Sequence, residues 1–280
     1  MILDSHHHLW RYSPAEYGWI SAEMSVLARD FGVADLEAAA ASYGVVGSVA
    51  VQARQTVEET GALLTIAESG SFIRGVVGWA PLADPAIAET LDGWAGRPKL
   101  RGIRHVVQDE PDDAFLDRPD FNRGVAEVLR RGLTYDLLIF AKQLPAALRF
   151  VDRHPEGRIV LDHIAKPSIK EGLIQDWRAQ LTELARRPNV TCKVSGVVTE
   201  ADWNDWTETQ VRPYLDAALE AFGPERLMYG SDWPVCLLAT DYPRWLRLTQ
   251  AWVADWSESQ RESFFSGAAT AAYQLNEASA

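Results

Sequence analysis

Residues 134–164 read TYDLLIFAKQLPAALRFVDRHPEGRIVLDHI. A short apolar run, TYDLLIF (134–140), is followed by QLPAALRFVDRHPEG (143–157), where Leu, Ala and Val recur every three and four residues. A second apolar run, RIVLDHI (158–164), closes the stretch. The outer runs suit strands, and the middle suits an amphipathic helix stopped by Pro and Gly. Strand, helix, strand is the repeating unit of a parallel sheet.

The same unit recurs on both sides. Further apolar runs are ILDSHHH (2–8), VVGSVAVQAR (45–54), IRGVVGWAPL (73–82), LRGIRHV (100–106), VTCKVSG (190–196) and RLMYGSDWP (226–234). Between runs lie helical patterns such as VADLEAAAASYG, VEETGALLTIAESG, FNRGVAEVLRRG and VRPYLDAALEAFGPE. Eight strand–helix units over about 250 residues match a closed (β/α)8 barrel of the TIM type. An open doubly wound sheet is the competitor, but no G-x-G-x-x-G turn follows an early strand. No linker or low-complexity tract divides the chain, so one domain over 1–280 is expected. PSIKEGLIQDWRAQ (167–180) and TEADWNDWTETQ (199–210) read as longer strand-to-helix connections, which on a barrel cover the active face.

Composition removes several function classes. The 280 residues are 47% hydrophobic, enough for one large core, and carry a formal net charge of −12 with only 27 Lys plus Arg. That balance argues against nucleic acid and anionic membranes as partners. No apolar run approaches the ~18 residues of a membrane span, and the start lacks the pattern of a secretory signal. A cytoplasmic protein acting on a small molecule is expected. Cys192 and Cys236 cannot form a zinc–thiolate cage or a disulfide framework and are expected as buried thiols. Most of the 11 tryptophans should pack, with several lining a pocket.

Barrel chemistry sits at the C-terminal ends of strands. The first run ends in His6, His7 and His8, the second near Gln52 and Arg54, the fourth at His105, the sixth at His163 and the eighth at Asp232. Strand alternation puts Asp4, His6 and His8 on one face and Ser5 and His7 on the other. His6 and His8 can then converge on one ion, with His7 left to packing and Asp4 supporting the site or capping a turn. Two imidazoles so placed, with another strand-end histidine and an aspartate, offer the N/O ligand set that suits zinc or a similar divalent ion. Three histidines running straight into a strand do not read as a tag. Ser231 lacks a G-x-S-x-G elbow, so a serine esterase is not supported.

These residues resemble the amidohydrolase superfamily in its amidohydrolase 2, sugar-lactonase branch. D-x-H-x-H near the N-terminus, VLDHIAKP (160–167) and MYGSDWP (228–234) are similar to its metal-site and catalytic signatures. SHHHLWRYSPAEYGWI, AVQAR, VVGWAPL, LRGIRHVVQDE, CKVSGVVTEADW and GSDWPVCLL extend the resemblance over nearly the whole chain. It implies a barrel that hydrolyses the cyclic ester of an aldonic acid, such as L-fucono-1,5-lactone, with His6, His8, His163 and Asp232 forming the central, metal-holding site. Two-metal members of the superfamily use a carboxylated lysine on a middle strand; here the fourth run ends in His105, which argues against a second ion. Lys193 reads as a structural residue or a charge partner for Asp or Glu, and Lys166 as an exposed residue or, as the second reading, one at the pocket edge.

Lactone hydrolysis needs a polarised carbonyl, an activated water and a proton for the leaving oxygen. One zinc ion on His6 and His8, or hydrogen-bonding imidazoles in its place, would stabilise the oxyanion, so the metal is favoured without being required. Asp232 would take the proton of water and return it to the leaving alkoxide. His105 or His163 would orient the water or hold the carbonyl oxygen. Gln52, Arg54, Trp79, Arg104 and Trp233 are expected to bind the sugar, with Tyr135 and Asp136 behind them. A metal-dependent decarboxylase on the same barrel is the alternative, and a non-catalytic sugar-binding barrel a weaker one that leaves Asp232 without a task.

Overall fold

The computed structural model describes residues 1–275. Each apolar run contains a parallel strand: β1 (Ile2–His7), β2 (Val45–Val51), β3 (Ile73–Gly78), β4 (Leu100–Val106), β5 (Thr134–Leu138), β6 (Ile159–Leu161), β7 (Val190–Val194) and β8 (Leu227–Tyr229). Neighbours in sequence are neighbours in the sheet. The ring closes just past β8, where Asp232 N–H donates to His6 O (2.8 Å) and His8 N–H donates to Trp233 O (2.7 Å).

Helices α1 (Val33–Ala40), α2 (Val57–Glu68), α3 (Ile87–Asp92), α4 (Pro119–Arg130), α5 (Leu144–Arg153), α6 (Gln175–Ala185), α7 (Glu208–Phe222) and α8 (Tyr242–Trp252) follow the strands in turn. The connection expected over 167–180 is shorter than its sequence suggested, because α6 already starts at Gln175. Trp177 anchors that start by donating from Nε1 to Ile164 O at 2.8 Å. After α8 the chain forms α9 (Glu258–Glu262), a π-helical turn (Ser263–Gly267) and α10 (Ala268–Tyr273). No helix among the described residues is long and apolar enough to cross a membrane. Cys192 and Cys236 are free and buried.

Outward strand residues such as Ile103, Tyr135, Leu161, Cys192 and Tyr229 join the helices in one core. Inward residues Leu3, Val49, Val51, Val77, Val160 and Met228 form a second apolar cluster with Ala268, Ala272, Tyr273 and Leu275. Thr134, the first residue of β5, donates from Oγ1 to Ala272 O at 2.6 Å. The α10 segment therefore plugs the N-terminal end of the barrel, and the polar chemistry is left to the other end.

The β2–α2 connection is folded by one carboxylate. Thr56 caps α2 by accepting from Glu59 N–H (3.2 Å), as the T-x-x-E spacing favours. Glu59 Oε2 accepts from Ala53 N–H (3.0 Å) and Arg54 N–H (2.7 Å), which pulls the connection onto the helix start. Burial pushes the Glu59 carboxyl up to about 7, against the lowering effect of those N–H groups and Arg54.

Two outcomes follow from this packing. A Cβ on Gly230 would lie 2.9 Å from His6 Cβ and 3.0 Å from Ser195 Cβ. Gly230→Ala should therefore cost about 1–3 kcal/mol in urea denaturation, whereas Val46→Ala, at a site 42% exposed, should stay within about 0.5 kcal/mol. Glu59 holds its proton more tightly folded than unfolded, so its contribution is fully present below about pH 4.5 and is lost as pH rises through about 7. Wild type should gain on the order of 2 kcal/mol over Glu59→Gln between pH 8 and pH 5; parallel stability curves for the two proteins would contradict it.

Candidate active site

The register of β1 against β2 is irregular between Asp4 and His7, and this changes which side chains share a face. Leu3 points into the barrel floor, and His6 also points inward, where it meets residues of β4 and β7. Asp4 is turned away from them: its Oδ1 accepts from Ser231 N–H (2.8 Å) and His6 N–H (3.2 Å), and its Oδ2 from the Tyr242 hydroxyl (3.1 Å). Simple alternation thus misplaces Asp4, whose carboxylate ties β1 to the segment after β8. His7 is buried with neither ring nitrogen hydrogen-bonded among the described residues. Burial pushes its pKa down to about 3, so the ring packs as a neutral group.

His6, His8 and Asp232 converge. His6 Nε2 lies 3.2 Å from His8 Nε2, and Asp232 Oδ1 lies 3.6 Å from the first and 3.4 Å from the second. His8 Nδ1 is fixed by Val51 O at 2.8 Å, which makes Nδ1 the donor and leaves Nε2 free. Burial alone would raise the Asp232 carboxyl, but His163, His8 and Lys166 outweigh it and hold it below the ordinary carboxylate value.

His163 arrives by a different route. Asp162 already points inward, so an extended backbone would send the next side chain out. Instead His163, Ile164, Ala165 and Lys166 have φ of 53°, 49°, 61° and 43°, a left-handed turn that costs roughly 1–2 kcal/mol per residue. The buried Ile164 and Ala165 side chains and the Trp177 hydrogen bond hold it in place. The turn aims the His163 ring at His6, with centroids 4.5 Å apart, and Ser195 Oγ holds its Nδ1 at 2.9 Å. Burial, against the pull of Asp232 and Asp162, lowers its pKa to about 4. Gly196, at φ 58°, makes room: a Cβ there would lie 2.6 Å from His163 Nδ1 and 2.7 Å from Asp232 Oδ2.

Below these groups lies a buried ion cluster. Arg104 Nη1 donates to Asp162 Oδ2 (3.0 Å) and stands 3.3 Å from His6 Nε2. Lys193 Nζ lies 2.6 Å from Asp136 Oδ2, 3.0 Å from Asp162 Oδ1 and 3.1 Å from His6 Nδ1. Burial would raise the Asp162 carboxyl, but Lys193, His6 and Arg104 overcome it and keep the group ionised well below its usual range. Asp162 is not singled out by the sequence reading, which places Asp136 behind the sugar-binding groups and takes Lys193 as a charge partner. Each is a charge inside an otherwise apolar strand run, which demands a partner across the barrel.

Above the cluster opens a cavity of about 850 Å³, lined by His8, Gln52, Arg54, Arg104, His163 and Asp232, with Lys166 at its edge and Glu200 3.3 Å from that lysine. Gln52 uses its carbonyl (2.5 Å) and Oε1 (3.1 Å) on Arg104 Nη2, leaving its buried Nε2 without a partner among the described residues. Arg54 reaches Glu16 Oε1 at 2.5 Å. Gln108, Asp109, Met24 and Trp19, the last 39% exposed, complete the walls and were not anticipated.

Five expected site residues lie elsewhere, and strand parity explains the first. On β4 the inward place belongs to Arg104, so His105 points outward, stacks on Phe115 (centroids 5.2 Å apart) and pairs with Glu110 at 2.7 Å. Trp79 donates from Nε1 to His105 Nδ1 at 3.2 Å, outside the barrel. Trp233 packs edge-on against Phe31, 5.2 Å between centroids, where β8 meets β1. Tyr135 packs outward on Phe150, and Asp136 is bonded to Lys193 rather than facing the cavity. Ser231 is structural: its Oγ donates to His6 O (3.3 Å) and accepts from Trp233 N–H (3.0 Å).

The donor set fits one zinc ion. Ligands ~2.0–2.1 Å from a tetrahedral zinc stand about 3.3 Å apart, close to the separations within His6, His8 and Asp232. Burial and Lys193 push His6 well below its usual pKa, so it is the neutral imidazole that binds metal. Its Nδ1 faces the buried Asp162 Oδ1 at 3.5 Å, an oxygen that is also ion-paired with Lys193 at 3.0 Å. His163 belongs to a second trio with His6 and Asp162, but the Arg104 guanidinium already contacts two of its members, which leaves no room for a second cation.

Comparison with known proteins places this architecture. The amidohydrolase family model matches residues 3–275. An L-fucono-1,5-lactonase of Burkholderia multivorans is 45% identical over 98% of this chain and 96% of its own. An L-fucono-1,5-lactonase of Burkholderia ambifaria is 40% identical over 87% and 85%. A crystal structure of a Burkholderia multivorans amidohydrolase with bound zinc superimposes with a TM-score of 0.96 at 45% identity, covering 99% of this chain and 100% of that one. The chain belongs to the amidohydrolase family.

Proposed function

We propose that this chain is a hydrolase that opens a sugar-derived lactone, an aldonolactone such as L-fucono-1,5-lactone, to the free acid. The observation that carries the reading is the convergence of an ionised Asp232 with His6, His8 and His163 at the base of a cavity walled by hydrogen-bonding groups. The Burkholderia lactonases, at 45% and 40% identity, support it and disfavour the decarboxylase alternative.

Asp232, held ionised, accepts a proton from the attacking water and returns it to the ring oxygen as the ester bond breaks. His163, with Nδ1 engaged by Ser195, keeps Nε2 for the water or the carbonyl oxygen. Arg104 places a fixed positive charge beside the reaction centre, where it opposes the charge of the tetrahedral intermediate. Gln52 Nε2 and Arg54 bind sugar hydroxyls at the wall. A zinc ion, when bound, would be held by His6, His8 and Asp232 and would supply Lewis-acid polarisation of the ester carbonyl.

A panel of 1,4- and 1,5-aldonolactones, followed with a pH indicator with and without chelator, tests the reading. Acid release without CO2 is expected; no acid from any lactone would overturn it. Asp232→Asn should lower kcat by about 10²–10⁴-fold with the fold retained by circular dichroism. Unchanged turnover would remove Asp232 from the mechanism.

A further inference from the structure

The Tyr273 side chain rises from the barrel floor toward the site. Its hydroxyl donates to Asp136 Oδ2 at 2.7 Å, and its ring lies 5.2 Å from the Lys193 ammonium. Asp136 Oδ2 also accepts from Lys193 Nζ at 2.6 Å, while Asp136 Oδ1 has no hydrogen-bond partner among the described residues. The carboxylate thus has two anchors, one from the C-terminal helix and one from β7. Lys193 Nζ in turn lies 3.1 Å from His6 Nδ1 and 3.0 Å from Asp162 Oδ1. All five residues are wholly shielded from solvent.

We infer that Tyr273 is a positioning residue: its hydroxyl, acting through Asp136 and Lys193, sets the placement of the His6 ring. The Lys193 ammonium is ion-paired with two carboxylates and stands 3.1 Å from His6 Nδ1, so its position is a compromise among the three. Without the hydroxyl, Asp136 is held by Lys193 alone and turns to suit it. That draws Nζ toward β5 and away from His6 and Asp162. The barrel floor, an end of the fold that ordinarily serves stability, here reaches the reaction centre by a chain of direct contacts. Only the rate arm of the test rests on the lactonase reading.

The full-length Tyr273→Phe protein, labelled with ¹⁵N-histidine, is compared with wild type and with Tyr214→Phe, a buried tyrosine on α7. The His6 imidazole resonances should move in Tyr273→Phe alone, with those of His154 on the outer surface of the barrel unchanged. Turnover of the lactone should fall about tenfold with KM within twofold. His6 resonances that superimpose on wild type would overturn the inference, whatever the activity. Resonances that move in a protein whose wild type opens no lactone would uphold the positioning and remove the lactonase reading. If Tyr273→Phe does not fold, Asp136→Asn decides: displacement of His6 supports the relay, and an unmoved ring refutes it.

Discussion

The Lys193 ammonium and the Arg104 guanidinium face the buried carboxylates of Asp136 and Asp162 beneath the cavity, and the site above depends on that neutralisation. Leaving one buried charge without its partner costs about 3–5 kcal/mol, so these four side chains constrain one another. His6 sits against both cations and is kept neutral by burial and by Lys193. The same cluster supplies what a metal-binding imidazole needs behind it, an acceptor at Nδ1, and places a guanidinium where a second ion would otherwise compete.

The backbone also bears a cost on behalf of the site. Four consecutive non-glycine residues from His163 to Lys166 lie in left-handed conformation, and so does Asp232. A β-branched residue such as Ile164 adopts that conformation only where its surroundings over-determine it. The return is geometric. Asp162 and His163, adjacent in sequence, both contribute to the interior, which a regular strand would forbid.

Much of the architecture was legible because it rests on local periodicity. All eight apolar runs contain strands, and the helical patterns between them contain helices. The gathering of His6, His8 and Asp232 followed from their places at strand ends, whereas His163 joins them only through the left-handed turn after β6. What failed was parity wherever the backbone departs from a plain strand. The irregularity in β1 moved Asp4 off the histidine face, and β4 presents Arg104 where His105 was expected. Trp79 and Trp233 sit at strand ends yet turn into packing, while Trp19, on a long connection with no periodic signal, reaches the cavity. Asp136, Asp162 and Lys193 carried a signal in their strand runs that needed partners from three strands to interpret.

By itself, then, the sequence determined the repeat, the closed barrel that the repeat count requires, and the strand ends at which ionisable groups gather, since these depend on spacing along one chain. Tertiary structure alone decided which side of a strand each group faces after a bulge or a left-handed turn. It also decided which buried charges neutralise one another and that the C-terminal Tyr273 meets Asp136, residues 137 positions apart. Those outcomes depend on distances between segments remote in sequence, and no local period encodes them.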